Sequence, residues 1–141
     1  MTEKEKQLLL GDISARYMNG LMCVVEGHEG VYQIVGTYRR EGYGAAYAYI
    51  DVPPFGDIII DIVKSYLRPM SSMTEEERKT YGGFIYTKHH DWDGHSKSTN
   101  YVEETDVTDC IDWLNSHHFD YRGLIEKGLA LEAPEGMYNL N

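Results

Sequence analysis

Four short apolar runs between residues 21 and 63, parted by short links that each contain glycine or proline, limit this chain's folds more than any other feature. LMCVVE (21–26), VYQIVGTY (31–38), AAYAYIDV (45–52) and DIIIDIV (57–63) are rich in β-branched and aromatic residues. Such side chains fit a pleated, half-buried surface. Gly27-His28-Glu29-Gly30 has the length of a hairpin loop, RREGYG (39–44) makes the next turn, and Pro53-Pro54 with Gly56 ends the third run. Links this short predict an antiparallel meander of three or four strands. Its apolar face needs a cover, and a helix stands ready ahead of it. Thr2 and Glu5 have capping-box spacing, Leu9, Ile13 and Tyr17 follow at four-residue steps, and Asn19-Gly20 stops the pattern. The fold class read from these signals is α+β, in one domain spanning residues 1–141.

Beyond the runs the signals thin out. KSYLRPMSSM (64–73) shows no period and carries Pro69, so it reads as an ordered loop. Thr74-Glu75-Glu76-Glu77 is a second capping box, opening a short helix that Gly82-Gly83 would end. Residues 84–101 read either as a hairpin turning at Asp93-Gly94 or as a mobile loop. A further helix is expected over 106–116, with Val107, Ile111 and Leu114 on one stripe and Cys110 beside it. The remaining tail alternates apolar pairs with glycine and can be ordered only by wrapping onto the body.

Composition excludes several classes of function. Thirteen Lys and Arg against 23 Asp and Glu give a net charge of −10, which argues against nonspecific nucleic-acid binding. Residues 101–141 hold only 2 of the basic groups but 9 of the acidic ones, densest at Glu103, Glu104, Asp106, Asp109 and Asp112. Carboxylates suit the first turn of a helix, where the macrodipole favours them; the same cluster could also present an acidic face to a basic partner. No apolar run approaches the ~18 residues of a membrane span, and MTEKEKQLLLGD lacks a basic signal region, so no membrane partner and a cytoplasmic location are expected. Cys23 and Cys110 lie in apolar stripes and read as small core side chains. There is no G-x-S-x-G elbow, and Gly42-Tyr43-Gly44 falls between two strands rather than before a helix. Those absences make an enzyme the less favoured reading.

Two constellations remain that could carry chemistry. His89, His90, Asp93 and His95 fall within seven residues and offer imidazole and carboxylate to a metal; no other cofactor is suggested, and a solvated loop explains the same residues. The second is arginine beside tyrosine, which occurs three times. Tyr38 precedes Arg39 and Arg40 at a strand end, Tyr66 lies near Arg68, and Tyr121 adjoins Arg122. Arginine forks onto phosphate or carboxylate and tyrosine supplies a stacking face, so two such pairs could grip a small anionic nucleotide. The plainer alternative is that each arginine meets a nearby acid, Arg122 with Asp120 or Arg40 with Glu41 of a neighbouring molecule.

The stretches KSYLRPMSSMTEEERKTY (64–81) and CIDWLNSHHFDYRGLIEKGLALEAPEGMY (110–138) resemble a group of short uncharacterised proteins from gut bacteria and their phages and prophages. The resemblance covers about a third of the chain and brings no assigned activity or catalytic residues. It implies a protein made inside a bacterial host that acts by binding. On this reading the protein is non-enzymatic and inhibits or sequesters a host or defence component, for instance a small anionic nucleotide signal, held within one chain or across a homo-oligomer interface. The alternatives are a metal-dependent hydrolase using residues 89–95, and an acidic protein that blocks a basic surface of a bacterial protein.

Overall fold

The computed structural model describes residues 1–42, 45–85, 91–92, 98–99 and 104–138, of which 40–42, 45–47, 85, 91–92, 98–99 and 104–106 by backbone alone. Within them the fold is α+β, as its sequence predicts. Helix α1 (Glu3–Arg16) opens on the expected capping box: the Glu5 N–H donates to Thr2 Oγ1 at 3.1 Å and the Thr2 N–H to Glu5 Oε1 at 2.9 Å. Strands β1 (Met22–Val25), β2 (Tyr32–Gln33), β3 (Gly36–Gly42), β4 (Ala45–Val52), β5 (Gly56–Ile59) and β6 (Val63–Leu67) follow. Then come helix α2 (Glu75–Ile85), the two-residue strands β7 (Asp91–Trp92) and β8 (Ser98–Thr99), helix α3 (Glu104–Ser116) and strand β9 (Ala130–Glu132).

Strands β3, β4 and β5 form the antiparallel meander. Strands β1 and β2 do not join it; they belong to a second sheet in the order β2-β1-β6-β9, whose last pair is parallel. The run 31–38 is therefore two strands, not one. The Ile34 N–H donates to Leu21 O at 3.0 Å and the Val35 N–H to Asp51 O at 2.9 Å, so the chain changes sheets between these neighbours. Ile34 is fully buried at the crossing. Leu9 and Ile13 of α1 close over it together with Ile50, Val52, Ile60, Val63 and Leu67. Burying each such side chain stabilises the fold by about 1.5–3 kcal/mol.

Other differences have local causes. The presumed loop 64–73 begins as strand β6, with Val63, Ser65 and Leu67 buried and Lys64 exposed; a serine at the central inward position hides the alternation. Gly82-Gly83 do not end α2, because neither glycine takes the positive φ that a helix stop requires. Helix α3 starts two residues early, and of its expected stripe only Leu114 is buried, Val107 and Ile111 being exposed. The tail does wrap onto the body: Leu124, Leu129 and Ala130 enter the main core.

Helix α3 ends in a Schellman arrangement, with the His118 N–H on Asn115 O at 3.1 Å and the Phe119 N–H on Leu114 O at 3.0 Å. The residue in the left-handed position, usually glycine, is His118 at φ 59°. Its ring is buried, and Nε2 meets Asn19 O at 2.9 Å. Next to it, the Arg68 N–H reaches His118 O at 2.7 Å and the Asp120 N–H reaches Arg68 O at 2.8 Å, so the chain after β6 is fastened to segment 118–120.

Candidate binding cleft

Past β6 the chain turns at Met70–Ser72, and Thr74 caps α2: the Glu77 N–H donates to Thr74 Oγ1 at 3.1 Å and the Thr74 N–H to Glu77 Oε1 at 2.9 Å. Glu77 is thereby aimed back at β6. There Arg68 closes a two-pronged pair with it, Nη1 to Oε2 and Nη2 to Oε1, both at 2.7 Å. The guanidinium also lies 4.2 Å from the centroid of the Phe119 ring. Hydrogen bonding from Arg68 holds the Glu77 carboxyl down at about 2.

The tail supplies the facing wall. After β9 pairs with β6, the Ala133 N–H donates to Leu67 O at 2.8 Å. Five residues on, the Tyr138 hydroxyl donates to Tyr66 O at 2.8 Å and accepts from the Met22 N–H at 2.9 Å. Burial pushes this phenol up from its ordinary value, and its ring stacks on His118 with centroids 4.0 Å apart. Between the α2 N-terminus and this wall lies a cleft of about 670 Å³, reached by Arg68, Glu76, Glu77, Glu132, Glu135 and His117. That volume is within the range of small-molecule and side-chain pockets.

A second arginine cluster lies inside the fold. Arg16 is fully buried, its Nε donating to Asp12 Oδ1 at 3.0 Å and its Nη2 to Phe119 O at 2.5 Å. Arg122 Nη1 donates to the same Asp12 Oδ1 at 2.6 Å. The Tyr121 ring sits by both guanidiniums, 5.2 Å from Arg16 and 4.5 Å from Arg122, while its hydroxyl donates to Asn115 Oδ1 at 2.9 Å. Asp120, the acid beside Arg122 in sequence, instead accepts from the Leu124 and Ile125 N–H groups at 2.8 and 2.9 Å. So Arg122 does meet an acid, but one from the first helix.

Of the three arginine–tyrosine pairs, two are therefore drawn to segment 117–123, each with its guanidinium on a carboxylate. The third is not. Tyr38 pairs across strands with Tyr49, the rings 5.9 Å apart, and Arg39 is exposed beside α1; neither lines the cleft. The side chain of Arg40 and the residues His89, His90, Asp93 and His95 lie outside the described residues. Among the described residues no three His, Cys, Asp or Glu are placed to hold a metal ion. Burial raises the Cys23 thiol to about 12, in keeping with a packing role.

Sequence reasoning missed the Asp12–Arg16 pair, Tyr138 and the glutamates of the tail. Only Glu77 left a trace, through its capping-box spacing. No family model matches the chain, and neither a curated protein nor a solved structure does.

Proposed function

We propose that this chain is a non-enzymatic binding protein that captures a basic segment of a bacterial protein and so inhibits or sequesters it. One observation carries the reading: the arginines suited to hold an anion, Arg68 and Arg122, are already committed to Glu77 and Asp12. An incoming phosphate would have to break a 2.7 Å two-pronged pair and leave a carboxylate without its partner. A basic guest meets no such cost. It meets a net charge of −10, with Glu76, Glu132 and Glu135 all exposed around the cleft. The bacterial setting of the partner is part of this proposal and is drawn from the resemblance of residues 64–81 and 110–138 to short proteins of gut bacteria and their phages and prophages.

Thermal-shift measurements at low salt test this directly. Short arginine- and lysine-containing peptides should raise the unfolding temperature, since a ligand at a hundred times its Kd adds ~2.7 kcal/mol. The gain should fade as salt screens the charges. Nucleotides and cyclic nucleotides should give no shift. A nucleotide shift that Arg68→Ala or Arg122→Ala abolishes would reverse the assignment.

A further inference from the structure

Counted as hydrogen-bonding groups, the lining of the 670 Å³ cleft is lopsided. Glu76, Glu132 and Glu135 are exposed carboxylates, and none has an ion-pair or hydrogen-bond partner for its side chain among the described residues. His117 Nδ1 sits 2.9 Å from Trp113 O, which can only accept. Nδ1 therefore carries a proton. Among the described residues the one guanidinium of the lining, Arg68, has its fork closed on Glu77. What would complement such a surface is a cation with several N–H groups.

The size of that cation is also constrained. No three carboxylate, imidazole or thiol groups among the described residues come together tightly enough to coordinate a metal. A compact ion finds no shell there, whereas a planar guanidinium on a long stem can bridge separated carboxylates. Apolar contact for the stem is available from Ala133, Pro134 and the Tyr138 ring.

We infer that the cleft between the α2 N-terminus and the tail is a receptor for an arginine side chain of the partner protein. This inference rests on the basic-partner reading and adds to it the place and the group recognised.

The test is calorimetric titration of the full chain with a short peptide carrying an Arg-Arg pair flanked by glycines, and with its neutral, near-isosteric citrulline counterpart. The chain carrying E76Q, E132Q and E135Q is titrated beside one carrying D109N, D112N and E126Q, which makes the same change in net charge away from the cleft. Loss of charge-assisted hydrogen bonds should weaken the citrulline peptide, and the arginine peptide on the cleft variant, by about tenfold or more. The control variant should lose less than about threefold, as screened distant charges do. All six substituted side chains are exposed, so both variants should unfold at the wild-type temperature. Equal affinity for the two peptides, or equal loss in the two variants, would overturn the inference. If the arginine peptide binds and the cleft variant binds it as well as wild type, only the cleft assignment falls; if no basic peptide binds at all, the proposed function falls with it.

Discussion

His118 occupies a backbone position that glycine would hold without strain, so its side chain must return more than the left-handed conformation costs. It does so by joining Asn19 after the first helix to Tyr138 in the tail, while the backbone carbonyl of the same residue accepts from the Arg68 N–H after β6. Because Asn19 O only accepts, Nε2 carries the proton, and the buried Nδ1 has no partner among the described residues. Burial, the largest cause, holds this imidazole down at about 4. A histidine whose folded value lies below its unfolded value of 6.5 takes up protons more readily when the chain is unfolded. Stability contributed by His118 is thus intact above pH 6.5 and is lost as pH falls toward 4, by about 3 kcal/mol in all. Urea unfolding at a series of pH values should show that decline, and His118→Gln, though less stable at neutral pH, should flatten it. A wild-type profile level between pH 7 and pH 4.5 would refute the assignment. Glu77 adds a second acid limb: its contribution is present above its ordinary 4.5 and disappears as pH falls toward 2.

Among the elements, β6 shows most clearly what a sequence can hide. Val63, Lys64, Ser65, Tyr66 and Leu67 alternate inward and outward, yet the middle inward residue is a serine. Its hydroxyl is buried without a hydrogen-bond partner among the described residues. An orphaned buried hydroxyl costs free energy that a methyl group does not. Ser65→Ala should therefore stabilise the protein by about 1 kcal/mol in chemical denaturation; a destabilisation would mean that the hydroxyl has a partner. The elements that were legible carry their own local signals. Thr2 with Glu5 and Thr74 with Glu77 are caps whose partners lie three residues away, and the turns of the β3-β4-β5 meander are written in glycine and proline. The change of sheet at Ile34–Val35 has no such marker, because an apolar run serves equally well on either side of the crossing. The site was the least legible part. Arg122 finds its acid on Asp12, 110 residues away, and no spacing rule reaches that far.

At the scale of the molecule, the tail completes a sheet as well as a cleft. Strand β6 takes one neighbour from residues 22–25 and the other from residues 130–132. The Tyr138 hydroxyl then ties Met22 of β1 to Tyr66 of β6. Tyr138→Phe removes that tie while keeping the ring stacked on His118. It should cost about 1–3 kcal/mol, because the Tyr66 carbonyl and the Met22 amide lose a buried partner. Amide hydrogen exchange at Met22 should speed up with it; unchanged protection there would show that the hydroxyl carries no load.

The Asp12 carboxylate, shared between Arg16 of the first helix and Arg122 of the wrapped tail, has a consequence for how the fold holds together. Without residues 119–122, the Arg16 Nη2 has no carbonyl to reach and Asp12 has one cation instead of two. The opening helix and the wrapped tail are therefore coupled in the native state through one carboxylate, and loosening either removes buried partners from the other.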